Sequence, residues 1–172
     1  MNSIYQESLH YLPTLTIVKP VKTFKNYKKF IGKSILSVDF GEKVIGLASF
    51  KPGVDPYPLT RGRIINKSLS QVIEELSTVI DEDFTEVLIF GIPYLLDGQE
   101  TSKTKEMKNI FSIIEKQFPS LQCYEQDETL STKTAKDRML NSPEYNFKVD
   151  LKKLDEVSAV IILEDFIRND AY

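Results

Sequence analysis

A carboxylate set inside an apolar run constrains this 172-residue chain more than any other feature. In Ser34-Ile-Leu-Ser-Val-Asp-Phe-Gly41 the aliphatic and aromatic residues read as a strand buried on both sides for most of its length, and Asp39 falls near its end. An unpaired carboxylate in a central strand is destabilising by several kcal/mol. A lysine, an arginine or a metal ion must therefore compensate it. Gly41, directly after Phe40, lets a backbone or a substrate come close.

The rest of the chain follows from that strand. Gly41-Glu42-Lys43 reads as a turn, with Val44–Phe50 as the second arm of a hairpin and a third strand near Thr60–Asn66. Leu69, Val72, Ile73, Leu76 and Ile80 recur at helical spacing. Glu86–Phe90 is a short apolar run closed by Gly91-Ile-Pro93, as expected of an interior parallel strand. Met107, Ile110, Phe111, Ile114 and Phe118 mark a helix from near Ser102 that Pro119 stops. A further strand at Leu121–Gln126 leads into Asp127-Glu128, and Ser131 or Thr132 can cap the helix that follows. Asn141–Asp150 reads as a polar loop and about 153–168 as the last helix. The pattern predicts an α/β domain with a mixed sheet and helices on its faces, spanning residues 34–172.

Composition narrows the chemistry. His10 is the only histidine, which excludes His-rich zinc sites and disfavours a His-based triad. The single cysteine, Cys123, forms no internal disulfide and points to a reducing, cytoplasmic setting, with the thiol as core filler. No apolar run reaches the roughly 18 residues of a membrane span, and residues 1–33 do not fit a secretory signal. Net charge is −3, yet Lys19, Lys22, Lys25, Lys28, Lys29 and Lys33 cluster without an acid among them. Interleaved with Phe24, Tyr27 and Phe30, they form a basic arm, 1–33, that either follows a phosphate backbone or is a solvated tail.

Two further acidic positions stand at element ends. Asp127 and Glu128 sit where a strand meets a loop, the edge at which ligands gather in open α/β sheets. Asp155 opens the last helix, where complementing the helix dipole is its ordinary explanation. Carboxylates on three elements can converge at one sheet edge, and Mg²⁺ or Mn²⁺ prefer such oxygen ligands. Two such ions about 4 Å apart would suit phosphodiester hydrolysis.

Five segments recur in a fixed order: Asp39-Phe-Gly-Glu-Lys-Val-Ile-Gly-Leu-Ala48, Pro58-Leu59 with Arg61 and Arg63, Gly91-Ile-Pro-Tyr-Leu-Leu-Asp-Gly98, Asp127-Glu-Thr-Leu-Ser-Thr132 and Leu154-Asp-Glu-Val-Ser-Ala159. Together they resemble the motifs of the YqgF/RuvX family, Holliday junction resolvases and nucleases that mature the 5′ end of 16S ribosomal RNA. The resemblance implies a ribonuclease H-like fold with a five-stranded sheet, its first three strands antiparallel and its last two parallel. It implies Asp39, Glu128 and Asp155 as the catalytic acids, with Asp127 joining them as a ligand of Mg²⁺ or Mn²⁺. Lys43 is implied as a phosphate contact. Arg61, Arg63, Gly91, Pro93, Asp97, Gly98, Ser131 and Thr132 would border the substrate groove. Structured RNA is the implied substrate, with branched DNA or a non-catalytic adaptor role as alternatives, and the protein would act as a monomer or homodimer. Val44 and Thr129 stand where the family carries arginine, and Leu95 where asparagine is common, so the grip on substrate is expected to differ. An actin-like phosphotransferase begins with a similar hairpin but needs a second lobe for which this chain has no room.

Overall fold

The structure, a computed structural model, describes residues 24–169. Its elements run α1 (Lys25–Lys29), β1 (Ile35–Phe40), β2 (Val44–Phe50), β3 (Leu59–Ile65), α2 (Leu69–Glu82), β4 (Val87–Ile92), α3 (Ser102–Gln117), β5 (Gln122–Asp127), α4 (Ser131–Leu140), a 3₁₀ turn at Pro143–Tyr145, and α5 (Leu154–Arg168). The five strands form one sheet in the order β3-β2-β1-β4-β5. β1, β2 and β3 pair antiparallel, whereas β4 lies parallel to both β1 and β5. This is the expected mixed sheet.

Alternation along β1 sorts the two faces. Leu36, Val38 and Phe40 pack with Val72, Leu76 and Ile80 of α2 and with Met107, Phe111 and Ile114 of α3. Ile35 points the other way, joining Ala48, Phe50, Val87 and Ile89 against Ala159, Ile162, Leu163 and Phe166 of α5. Ser37 shares that face and donates to Ala159 O at 2.7 Å. By the same alternation Asp39 faces α5. α4 covers the far side of α5 through Ala135, Met139, Val157 and Ile161. Squeezed between sheet and helix, α5 is buried at every residue from Val157 to Leu163, a run that is apolar apart from Ser158.

Local signals account for the helix ends. Ser68 Oγ accepts from Gln71 N to cap α2, and Thr101 and Thr104 form a reciprocal capping box on α3. α4 departs from expectation. Neither Ser131 nor Thr132 caps it; Leu130 holds the cap position, and Ser131 N instead donates to Glu128 O at 2.8 Å. Cys123 is half-buried beside the α2/α3 core, and burial pushes its thiol up to about 11, which leaves it inert.

The basic arm is corrected from Phe24 onward. α1 packs against α5: Phe30 is 1% exposed and stacks within 5.7 Å of Tyr124 and 5.6 Å of Phe166. Asn26, also fully buried, donates to Phe166 O at 2.8 Å, and the Tyr27 hydroxyl accepts from Gly53 N. Aromatics placed in the arm as strand-following groups are therefore core. Lys19 and Lys22 lie outside the described residues. Among those described, no helix is long and apolar enough to cross a membrane.

Candidate active site

Asp39 occupies the next-to-last position of β1, opposite Gly46 in β2. That glycine decides how α5 arrives. A Cβ at Gly46 would lie 2.0 Å from Asp155 O and 2.8 Å from Glu156 N, so the first turn of α5 rests directly on bare strand backbone. Asp155 and Ser158 are thereby brought over β1. With Lys153 at the cap position and no side-chain cap, Asp155 and Glu156 also complement the exposed helix N-terminus.

Glu128 reaches the same place from the β5 edge of the sheet, on the same α5-facing side. Its backbone N–H donates to Ile92 O at 3.1 Å, extending the β4–β5 ladder by one residue. Its carboxylate then lies over Gly91, where a Cβ would come within 2.1 Å of Oε2. Gly91 thus makes room for an acid.

The electrostatics of this pair are adverse. Burial, reinforced by the charge of Asp155, raises Asp39 to about 7, against lowering by hydrogen bonding with Ser158 and Glu128. Burial and then the Asp39 charge raise Glu128 to about 8; Asp127 adds to the rise and Lys103 opposes it. Glu128 Oε2 and Ser158 Oγ are buried without a geometrically sound hydrogen-bond partner. Ionised carboxylates are acceptors only, so two facing each other must share a proton or a cation. Asp155 is raised by burial and restrained by Arg63.

An all-oxygen donor set with an orphaned buried oxygen fits Mg²⁺ or Mn²⁺. Among the described residues no three such side chains form a ready-made cage. Asp155 acts on Asp39 through charge, leaving Asp39 and Glu128 as the close pair. Two carboxylates suffice for Mg²⁺, which keeps several waters and takes further oxygens from a substrate phosphate.

The remaining expected residues divide. Arg63 is opposite Gly46 in β3, in the row that contains Asp39, and donates to Lys152 O at 2.7 Å. Lys43 is exposed at the hairpin turn. Arg61 is elsewhere: its guanidinium grips Asp83 at 2.7 Å and Glu82 at 2.8 Å. A bulge causes the separation, since Leu47 pairs with Gly62 and Ala48 with Thr60, and Gly62 takes φ +100°. Asp127 does not meet Asp39. One of its oxygens accepts from both Thr129 N and the Thr129 hydroxyl, which also bridges to Tyr94 O. Pro93 O accepts from Thr104, while Asp97 and Gly98 close a turn. Ser131 is buried and Thr132 exposed. Sequence reasoning missed Lys103, whose ammonium bridges Glu42 at 3.3 Å and Glu106 at 3.2 Å beside the acids. Nothing in the local sequence marks it. Ser158 and Gly46 lie within quoted motifs, yet their parts depend on where α5 crosses the sheet.

A family model described as RuvX, Holliday junction resolvase, matches residues 33–169. A Thermus thermophilus protein named as a candidate pre-16S rRNA nuclease is 29% identical over 131 residues, spanning 76% of this chain and 94% of its own length. One of the same name from Buchnera aphidicola subsp. Baizongia pistaciae is 36% identical over 142 residues, spanning 77% and 94%. The solved structure of the yeast mitochondrial Holliday junction resolvase Ydc2 aligns with a TM-score of 0.50 at 9% identity, over 84% of this chain and 82% of that one. At such identity the likeness shows the ribonuclease H-like fold alone.

Proposed function

The chain belongs to the RuvX family, described as Holliday junction resolvase, and from that premise we propose that it is a metal-dependent endonuclease that cuts structured RNA, maturing the 5′ end of precursor 16S ribosomal RNA. The observation that carries the metal dependence is the buried Glu128 carboxylate, its Oε2 unsatisfied, set beside a second buried carboxylate, Asp39. The ribosomal substrate is supported by the names of the two bacterial relatives.

Asp39 and Glu128 would hold the ion, with Asp155 close enough to shape the field but not in the pair. When bound, Mg²⁺ or Mn²⁺ lowers the pKa of water and offsets charge on phosphoryl oxygens. The chain supplies the rest. Glu128 accepts a proton from the attacking water and fixes its direction. Ser158, buried beside Asp39 with its hydroxyl unsatisfied, can donate to the Asp39 carboxylate. Arg63 and Lys43 offset phosphate charge along the groove, and Lys103 can exchange its exposed partner Glu42 for a phosphate oxygen.

Labelled precursor 16S RNA and a four-way DNA junction, each with Mg²⁺ or Mn²⁺, test this reading against Asp39→Asn. Cleavage of the RNA by wild type alone is expected. Cleavage of the junction alone would replace the substrate. Binding of either without cutting would replace the activity with an adaptor role.

A further inference from the structure

A hollow of about 530 Å³ that the proposed reaction does not use is lined by Asp127 and Thr129, the two residues that flank Glu128 in the chain. It opens between the loop after β4, the turn after β5 and the end of α5. Its rim carries Leu95, Leu96 and Leu130, exposed by 49%, 82% and 53%. Asp127, Asp165 and Arg168 supply its charges. Gln126 fixes the floor, accepting from Asn169 Nδ2 at 3.1 Å and donating to Asp127 O at 3.1 Å.

We propose that this hollow is a nucleobase subsite, holding one unstacked base of the substrate strand, guanine by preference, next to the Asp39–Glu128 pair. The inference rests on the nuclease reading for the presence of a strand. Asp127 and Thr129 line the hollow and flank Glu128 in the chain, so a strand lying on the acids passes its mouth. The volume falls within the range of small-ligand pockets. Three leucines offer apolar contact to a base face, and the half-exposed Arg168 guanidinium offers a stacking plane.

The charges decide what enters. Two carboxylates against one guanidinium repel a phosphate, so the backbone stays outside and a base goes in. One oxygen of Asp127 is occupied by Thr129, leaving the other to accept. Guanine presents adjacent N1–H and N2–H₂ donors that match the Asp165 carboxylate side by side. Uracil presents one N–H flanked by carbonyls, which carboxylates repel. Two of the chain's departures from the motifs it resembles, Leu95 and Thr129, line this one hollow. An arginine at 129 would pair with the acids and close the pocket to such an edge.

Binding in EDTA, read by fluorescence anisotropy, separates this proposal from cleavage. The probes are short labelled single-stranded oligouridylates carrying one guanine, one inosine or neither. Wild type should bind the guanine probe about tenfold more tightly than the all-uracil one, with inosine between them. Asp165→Asn and Leu96→Asp should each cut that preference to about twofold and leave all-uracil affinity within about twofold. Equal affinity for the three probes in wild type would overturn the subsite. So would a preference untouched in both variants, or a Leu96→Asp change that splits a dimer and spares the preference, which would mark a surface for a second copy. Failed cleavage with guanine preference intact would strike the nuclease reading alone.

Discussion

Replacing Glu128 with glutamine should make the metal-free protein more stable at pH 8, although it removes a native buried group. Asp39 is raised from 3.8 to about 7 and Glu128 from 4.5 to about 8. A raised acid binds its proton more tightly in the folded state, so stability is complete below the unfolded value, about pH 4, and is lost as pH climbs through the folded one. Each pH unit in that window weakens the fold by about 1.4 kcal/mol per group. For Glu128 itself the interval corresponds to about 5 kcal/mol as an upper limit. Burial is its first cause and the Asp39 charge its second, and glutamine carries no charge for either to act on, so the substitution should recover about 2 kcal/mol of it. In a chain of this size that is roughly 4–8 °C in Tm. Calorimetry in EDTA from pH 5 to 8.5 measures it. The variant should lead wild type at pH 8 and converge with it near pH 5, where the native pair keeps a proton. Adding Mn²⁺ at pH 8 should reverse the order, because wild type gains about 2.7 kcal/mol at a hundredfold excess over Kd and the variant little. A variant less stable than wild type at pH 8 in EDTA would refute the adverse pairing.

Four further outcomes follow from the geometry. Gly46→Ala puts a Cβ 2.0 Å from Asp155 O; urea denaturation should show a loss of about 3 kcal/mol, and an unchanged midpoint would mean that α5 does not rest on β2 there. Arg61→Ala should lower stability by at most about 1 kcal/mol, given its part-exposed partners, without changing RNA affinity. Arg63→Ala should weaken RNA binding and flatten its salt slope by about one; an interchange of the two phenotypes would contradict the bulge at Gly62. Phe30→Ala should destabilise the protein by about 3–5 kcal/mol in the same assay, whereas a near-neutral result would return α1 to the status of an arm.

Much of this architecture is legible in the sequence because β1, β2 and β4 announce themselves by apolar runs that the fold buries. Asp39 could be singled out because Val38 and Phe40 leave no doubt that it belongs to a strand. Glu128 could be placed because it follows the last strand directly. Arg61 and Arg63 looked equivalent, since Arg-Gly-Arg gives no sign that its glycine takes φ +100° and turns one guanidinium to the opposite face. α1 was legible and misread. Phe24, Tyr27 and Phe30 repeat every three residues, a helical face, but the lysines between them drew attention to charge. Lys103 and Ser158 had no signal, since their relation to the acids exists only once α3 and α5 are docked.

The two glycines bear most directly on the proposal that a cation binds here. Gly46 lets α5 descend until Asp155 and Ser158 reach the level of β1, and Gly91 lets Glu128 fold back over β4 toward the same point. A side chain at either position would hold the acids apart and relieve their repulsion. Close approach is therefore built by omission, and it yields an arrangement that is unfavourable by itself at neutral pH. The surrounding fold must supply the stability that this repulsion removes, through an α5 buried from Val157 to Leu163 and pinned by α1 and α4. Repulsion of that kind has a functional use when the missing partner arrives from solution: the ion gains from every oxygen that the fold has forced together. The departures at Val44 and Thr129 leave this arrangement intact, because neither side chain touches the pair. They alter what lies around the acids, so the proposed metal chemistry and the choice of substrate can change independently.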